Sequence, residues 1–247
     1  MLDQVTKPNR INSSVGNVDL VADSVADQSV TGMIISSGKV TFIAGGDLHF
    51  LVEAYDDQRS ASEVYAMVCE FTEVFRRLET CGKPVAAAIN GTALGGGLEL
   101  ALSCHYRVVA DNPETQLGLP EVKLGLLPGA GGTQRLPRLI GVRPAVELMT
   151  QGTRVNPTHA MELGIVDAVV PADELLSSAR RWLLQVGEAV QPWDKKGFKV
   201  PRGTGAMSPK VMQSFIVGNA LVAEKTQHNY PAPISIMSCV FEGTLVP

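Results

Sequence analysis

The chain has 247 residues, of which 45% are hydrophobic and 19% are charged. This length and apolar content exclude an intrinsically disordered chain and allow one large domain with a buried core. The formal net charge of −4 does not favour a nucleic-acid-binding surface. The charged fraction of 19% is below the roughly 25% of an average globular domain. A surface with few charges is expected to be covered in part, so we expect contacts with other subunits.

The first half of the chain alternates predicted strands with predicted helices. A short helix is predicted over 18–22, because the capping residues Asn12, Ser13 and Ser14 precede it. The other elements predicted here from apolar spacing and turn residues are a buried strand at 31–37, a short apolar run at 42–44, a helix at 60–80, a strand at 83–91, a helix at 98–102 and a strand at 106–110. This alternation indicates the α/β class with crossover connections.

From residue 128 onward the pattern is helical. Helices are predicted at 133–139, 143–150, 157–164, 172–186 and 209–224, followed by a proline-broken end. Residues 191–210 contain five basic residues, a single acidic residue and six glycines or prolines, which favours an exposed linker. We therefore divide the chain into a core at 1–190 and a linker with a helical appendage at 191–247.

The spacing of the cysteines and histidines excludes several kinds of site. The four cysteines are too scattered for a disulfide framework, and without a CxxC pair they form neither a zinc ribbon nor a thioredoxin-type site. The histidines His49, His105, His159 and His228 show no metal-ligand spacing. No signal peptide is recognisable, and no apolar stretch approaches the ~18 residues that span a bilayer. We expect a soluble cytoplasmic protein without a bound metal.

Two glycine clusters are candidates for a binding site. The sequence lacks the P-loop, dinucleotide (GxGxxG) and nucleophile-elbow (GxSxG) motifs, but Gly45-Gly46 and Gly95-Gly96-Gly97 each lie near a predicted strand end. Glycines there present bare N–H groups, and the second cluster opens a helix, where orphan N–H groups attract negative charge. Two such groups converging on one oxygen would form an oxyanion hole. Plain turns and close packing are the alternative.

Two glutamates stand in apolar surroundings. Glu99 lies in the first turn of the helix after Gly96, and Glu121 is followed by apolar residues at 122, 124 and 126. An unpaired charge in such a place is costly. Two carboxylates facing each other would have separated pKa values, so that one acts as a base and the other as an acid. Ordinary helix-start or surface glutamates are the alternative, because spacing in sequence does not show that two residues meet.

Four segments resemble the signature of the crotonase (enoyl-CoA hydratase/isomerase) superfamily. They are FIAGGDL at 42–48, INGTALGGGLELA at 89–101, GLPEVKLG at 118–125 and PGAGGTQRL at 128–136. They occur in the family's order and close to its spacing, and the resemblance covers roughly residues 30 to 190. It implies a crotonase-type α/β fold with a repeated ββα core and a helical C-terminal region.

The resemblance also implies the roles of individual residues. The backbone N–H groups of Gly46 and Gly96 hold the thioester carbonyl oxygen, Glu99 activates water as the base, and Glu121 protonates C2 as the acid. Further substrate contacts are implied at Ala44, Asp47, Gly95, Pro128 and Gly129. No cofactor is implied, because coenzyme A is part of the substrate.

The activity that the resemblance implies is that of an enoyl-CoA hydratase in fatty-acid β-oxidation. Such an enzyme adds water to a trans-2-enoyl-CoA and gives a 3-hydroxyacyl-CoA, and its relatives form trimers or pairs of trimers. Two alternatives remain: a Δ3,Δ2-enoyl-CoA isomerase, and a non-catalytic acyl-CoA-binding remnant. The two intact glutamates favour the hydratase.

The two ends of the chain are distinctive. The segments CHYR at 104–107, PWDKKGF at 192–198 and NYPAP at 229–233 resemble the hydratase part of multifunctional fatty-acid β-oxidation α-subunits. The dehydrogenase domain that follows in those proteins is missing, so we expect a separate hydratase or a shortened product. Only eight residues precede Asn9, so we expect the family's first hairpin to be shortened or absent. His49 stands where several hydratases carry a lysine near the CoA phosphates, which affects the adenine-side contacts.

Overall fold

The computed structural model describes residues 27–46, 48–202 and 209–246. The helix predicted at 18–22, with its capping residues, therefore lies outside the described residues, and so does Asp47. Within the described ranges the chain forms a mixed α/β structure, as predicted. None of the helices described there is long and apolar enough to cross a membrane.

Two small sheets organise the chain. The strands are β1 (Met33–Ile35), β2 (Val85–Ile89), β3 (Ala93–Leu94), β4 (Tyr106–Ala110), β5 (Leu117–Gly118), β6 (Arg154–Val155) and β7 (Ala168–Val170). The larger sheet has the order β1-β2-β4-β7, and all of its neighbouring strands are parallel. The smaller sheet has the order β3-β5-β6, in which β3 and β5 are parallel and β6 is antiparallel. Parallel neighbours require crossover connections, and helices supply them.

The helices fill these connections and continue to the end of the chain. They are α1 (Leu48–Asp56), α2 (Ala61–Thr80), α3 (Gly96–Ser103), α4 (Gly132–Ile140), α5 (Val142–Gln151), α6 (Pro157–Leu163), α7 (Leu175–Gln185), α8 (Pro209–Thr226) and α9 (Ala232–Gly243). A capping box starts α2, because Ser60 accepts from the N–H of Glu63 while Glu63 accepts from the N–H of Ser60. The structure confirms the predicted helices within a few residues, at 60–80, 98–102, 133–139, 143–150, 157–164, 172–186 and 209–224.

The core explains the alanine-rich sequence of β2. All five residues of β2 are buried. Ala86 and Ala88 on one face belong to a cluster with α7, whereas the residues at 85, 87 and 89 on the other face join the larger cluster that includes α3. A strand covered on both faces reads as a continuous apolar run. Its small side chains leave room for both layers, and one of these layers carries Glu99.

Three expectations about the chain need correction. The strand predicted as buried at 31–37 is only three residues long and lies at an edge of the described sheet, where Ile34 is 36% exposed. No helix was expected at 48–56, where the structure has α1. The end of the chain, predicted to be broken by prolines, is α9, because Pro231 and Pro233 fall at its start, where the missing N–H groups have no intrahelical role.

The segment predicted as an exposed linker begins as a packed one. Gln191 is 1% exposed, and its side-chain amide donates to the carbonyl oxygen of Ser103 at the end of α3, over 3.0 Å. Asp194, in a 3-10 turn over Pro192–Asp194, accepts from both terminal nitrogens of Arg76 at 2.8 and 2.7 Å. The exposed character predicted for this segment is therefore wrong at Gln191, whereas Pro192 and residues 194–197 are exposed.

Gln191→Ala tests whether this segment contributes to stability. The substitution removes a buried donor and leaves the carbonyl oxygen of Ser103 without it, so we expect the free energy of unfolding to fall by about 2 kcal/mol. Urea unfolding monitored by circular dichroism measures this change. Gln185→Ala, on the exposed end of α7, is the matched control and should change it by less than about 0.5 kcal/mol. Equal effects would contradict the packed arrangement.

Candidate active site

Backbone hydrogen bonds bring three distant segments side by side. The N–H of Leu94 donates to the carbonyl oxygen of Ile43 at 3.0 Å, and the N–H of Ile43 donates to Thr92 at 3.2 Å. On the other side, the N–H of Gly95 donates to the carbonyl oxygen of Gly118 at 2.9 Å. The loop after residue 43, the start of α3 and the loop after β5 therefore meet at one end of the smaller sheet.

The glycines of the two clusters allow this close approach. Gly45 and Gly95 have φ angles of 120° and 53°, which favour glycine. A Cβ at Gly95 would lie 3.7 Å from the Cα of Gly45, and a Cβ at Gly97 would collide with the carbonyl oxygen of Ile43. The two clusters therefore touch at Gly45 and Gly95. Gly46 and Gly96 are the next residues along the chain, one on each side of this contact. Gly96 is the first residue of α3, where helix geometry leaves an N–H without an intrahelical partner.

Glu99 is a buried carboxylate with two backbone donors. It lies in the first turn of α3 and is 2% exposed. Its Oε1 accepts hydrogen bonds from the N–H groups of Ala130 at 2.8 Å and Gly132 at 2.7 Å. A Cβ at Gly132 would lie 2.9 Å from the same oxygen, so a larger residue there would displace the carboxylate. The turn at 130–132 therefore forms the seat of Glu99.

Glu121 is the first residue of a 3-10 helix, Glu121–Leu124, that follows β5. Its Oε1 lies against Gly95, 3.0 Å from the position that a Cβ would take there. Among the residues that the structure describes, none donates a hydrogen bond to the buried Oε2 of Glu121. This second carboxylate therefore borders the glycine contact without the donors that Glu99 has.

The surroundings stabilise the charges of the two carboxylates to different degrees. Burial and then the neighbouring charge of Glu99 raise the pKa of Glu121 to about 8. Burial also raises the pKa of Glu99, but the N–H groups of Gly132 and Ala130 and the charge of Arg135 oppose that rise. In a pair of interacting carboxyls the proton resides where the charge is less stabilised. Glu121 lacks the donors that Glu99 has, so the proton of the pair is favoured at Glu121.

The other predicted contact residues are distributed around this centre. Ala44 precedes the Gly45 contact, and Gly95 borders Glu121. Pro128 is buried, and its Cβ lies 3.0 Å from the position of a Cβ at Gly132, so it lies beside the seat of Glu99. Gly129 is exposed, and a Cβ placed there would meet only the carbonyl oxygen of Leu127, at 4.0 Å. The structure thus brings Pro128 and Gly95 to the glutamates and leaves Gly129 at the surface.

Tyr230 supports the site but was not identified from the sequence. Its hydroxyl donates to the carbonyl oxygen of Val122, in the 3-10 helix that begins with Glu121. Its ring also lies 3.8 Å from the position of a Cβ at Gly125, which ends that helix. The signal for this contact is the NYPAP motif at 229–233, which was noted for its resemblance and not for a contact.

Comparison with known proteins relates the chain to one family. The model of the enoyl-CoA hydratase/isomerase family matches residues 18–192. A fatty acid oxidation complex subunit alpha from Shewanella halifaxensis (strain HAW-EB4) is 44% identical over 227 residues, and a second from Shewanella baltica (strain OS155 / ATCC BAA-1091) is 42% identical. Both alignments cover 91% of this chain but only 31% of the relative, so the chain spans less than a third of the length of those proteins.

A solved structure supports the fold. The crystal structure of an enoyl-CoA hydratase from Bacillus anthracis superposes with a TM-score of 0.61 at 30% identity, covering 93% of this chain and 79% of that one. The predicted crotonase-type α/β fold and the resemblance to fatty-acid oxidation α-subunits are thereby confirmed. The match of the family model over most of the chain, together with this likeness, shows that the chain belongs to the enoyl-CoA hydratase/isomerase family.

Proposed function

We propose that the chain adds water to the double bond of a trans-2-enoyl-CoA and releases a 3-hydroxyacyl-CoA in fatty-acid β-oxidation. The observation that carries this proposal is a pair of carboxylates beside the contact between two glycine clusters: Glu99 accepts from two backbone N–H groups, and Glu121 has a buried oxygen without a described donor. The names of the relatives, subunits of fatty acid oxidation complexes, support the metabolic assignment.

The glycine clusters supply the stabilisation of negative charge. We assign the thioester oxygen to the N–H groups of Gly46 and Gly96, because these residues flank the point where the two clusters touch. The N–H of Gly95 is already bound to Gly118, which leaves the start of α3 to Gly96. A double bond conjugated to the thioester becomes electrophilic at C3 as charge moves onto that oxygen.

The two glutamates divide the proton transfers. Glu99, held as a carboxylate by the turn at 130–132, takes a proton from water as the water oxygen bonds to C3. Glu121, protonated near neutral pH, gives its proton to C2 of the enolate. The substrate gains the elements of water, and the site returns to its starting state when the proton moves from Glu99 back to Glu121. Both transfers use side chains of this chain, so we propose no cofactor beyond the CoA of the substrate.

Isomerisation of a 3-enoyl-CoA is the second candidate activity. The family description includes it, but it needs only one acid–base carboxylate, whereas hydration uses both. The organised, buried pair also speaks against a non-catalytic remnant. Incubation with a 3-enoyl-CoA separates the isomerase from the hydratase by the product formed.

A trimeric or hexameric assembly and a cytoplasmic location remain predictions.

Glu121→Gln and Glu99→Gln test the proposed roles. Each keeps the side-chain volume but removes the acid or the base, so we expect kcat on crotonyl-CoA to fall at least about 10²-fold. Binding of the CoA ester should change by less than about threefold. Loss of enone absorbance measures turnover, and calorimetric titration with a non-reactive acyl-CoA measures binding. Parallel loss of binding and turnover would indicate a structural role instead.

The raised pKa of Glu121 predicts a pH dependence of stability. The folded chain keeps a proton up to a pKa of about 8, whereas an unfolded glutamate releases it near pH 4.3. The folded state therefore holds the extra proton between these values, and its stability falls as pH rises through them. Glu121→Gln should remove this loss, whose slope for one proton is at most about 1.4 kcal/mol per pH unit. Urea unfolding at several pH values measures it.

An exposed glutamate provides the control for that titration. Glu114 lies at the surface, so Glu114→Gln should leave the pH dependence as it is in the unsubstituted chain. If Glu121→Gln and the unsubstituted chain lose stability in parallel above pH 5, the proton is not held at Glu121.

Gly96→Pro tests the oxyanion hole. Proline is favoured at the first position of a helix and removes only the N–H assigned to the thioester oxygen. Loss of one such donor lowers kcat by about 10² to 10³-fold. Gly96→Ala keeps the N–H and measures the effect of added bulk, so it should lose far less activity. Equal losses in the two variants would show that bulk, and not the donor, matters at this position.

A further inference from the structure

Arg135 is a buried cation next to the seat of Glu99. It lies on α4 and is 7% exposed. Its Nε is 2.6 Å from Oε1 of Glu79, and its guanidinium lies over the ring of Phe75, 5.9 Å from the centroid. Its Nη1 donates to the carbonyl oxygen of Ala130 at 2.8 Å. The guanidinium is therefore fixed on several sides, and one of its contacts is the turn that holds Glu99.

The same turn connects Arg135 to Glu99. The carbonyl oxygen of Ala130 accepts from Arg135, and the N–H groups of Ala130 and Gly132 donate to Glu99. Between them, Gly131 has a φ of 99°, and a Cβ there would collide with Nη1 of Arg135. The glycine pair thus makes room for the guanidinium at 131 and for the carboxylate at 132. A change in the position of Arg135 would be passed to Glu99 through one peptide turn.

Further charges keep Arg135 in place. Glu79, on α2, is 4% exposed and accepts from both Arg135 and Arg76, the latter at 2.9 Å. Arg76 in turn binds both oxygens of Asp194, in the segment after the core. Two cations and two anions alternate along this chain, so the burial of Glu79 is compensated. The chain of charges runs from the surface at Asp194 to the turn at 130–132.

We propose that Arg135 is a positioning residue for Glu99, and that Glu79, Arg76 and Asp194 hold its guanidinium against the turn at 130–132. The inference rests on the proposed hydratase function, in which Glu99 acts as the base. The mechanism above does not use this chain of charges. It extends the site from the two glutamates to residues of α2, α4 and the segment after residue 190.

Arg135 acts on both the position and the charge of Glu99. The charged groups that face Glu99 are Arg135 from α4, whose charge lowers its pKa, and Glu121, whose own pKa the charge of Glu99 raises. Glu79 faces Arg135 and Arg76, and its carbonyl oxygen contacts His105, whose pKa is lowered by burial. Removal of the Arg135 cation should make the carboxylate form of Glu99 less stable.

A simpler role for Arg135 has to be separated from this one. Arg135 could serve only to neutralise the buried Glu79, in which case its loss would harm folding and nothing else. The double variant Glu79→Gln/Arg135→Met removes both buried charges and distinguishes the two roles. Arg135→Lys keeps the cation but loses the forked hydrogen bonding to Glu79 and Ala130. Arg138→Met, which removes a half-buried cation from the same helix without touching the turn, is the matched control.

The first measurement is the pH profile of crotonyl-CoA hydration. For the double variant we expect kcat to fall about 10²-fold with KM within about twofold, and the acidic limb of kcat to move up by about one pH unit. Arg135→Lys should keep the limb near its original position while kcat stays reduced. Arg138→Met should move neither. A double variant with the kcat and acidic limb of the unsubstituted chain, or an equal shift in Arg138→Met, would overturn the proposal.

The second measurement does not depend on turnover. In protein labelled with carboxyl-¹³C glutamate, the Glu99 resonance is identified by its loss in Glu99→Gln, and its titration is followed in the unsubstituted chain and each variant. A higher midpoint in the double variant, with Arg138→Met unchanged, supports the role of Arg135, and identical midpoints overturn it. An unsubstituted chain that lacks hydratase activity would contradict the proposed function alone. If the double variant fails to fold, Arg135→Lys decides instead: a reduced kcat with an unchanged Glu99 midpoint supports the positioning role, and the kcat of the unsubstituted chain overturns it.

Discussion

The site depends on keeping the carboxylate of Glu99 charged inside the protein. An unpaired buried charge is destabilising by several kcal/mol, and Glu99 is 2% exposed. Two backbone N–H groups from the turn at 130–132 satisfy Oε1, and a nearby cation adds attraction. Because these hydrogen bonds join α3 to the turn that begins α4, they constrain how the two helices pack. The same contacts stabilise the charge of Glu99.

Close backbone contact is the second consequence. Because Glu99 is held from the α4 side, the opposite side of the start of α3 is free for the loop that follows Ile43. That loop approaches so closely that a Cβ at position 97 would collide with the carbonyl oxygen of Ile43. Glu121 reaches the same point from the loop after β5 and lacks equivalent donors. The charges of the two glutamates are therefore stabilised to different degrees, because Glu99 accepts from two N–H groups and Glu121 borders bare glycine backbone.

The sequence predicted the local structure and the residue types of the site better than the contacts between them. The regular apolar spacing of 60–80 and the turn at Cys81 located α2 almost to the residue. The segment LHFLVEAYD, which forms α1, was not predicted as a helix. Glu99 and Glu121 were identified as candidates, but their proximity follows from the β3–β5 pairing, which no spacing encodes. Arg135 and Glu79 lie 56 positions apart, so their pairing depends on tertiary packing alone.

The segment after residue 190 is where this limitation has the largest effect. Its composition predicts an exposed linker, because lysines, glycines and prolines say nothing about partners elsewhere. Yet Gln191 binds the end of α3, Asp194 binds Arg76, and Tyr230 binds the 3-10 helix of Glu121. Domain boundaries fall where few contacts cross, whereas these contacts join residues on the two sides of residue 190. Because each reaches an element that carries a glutamate or its support, the geometry of the site depends on this segment as well as on the core.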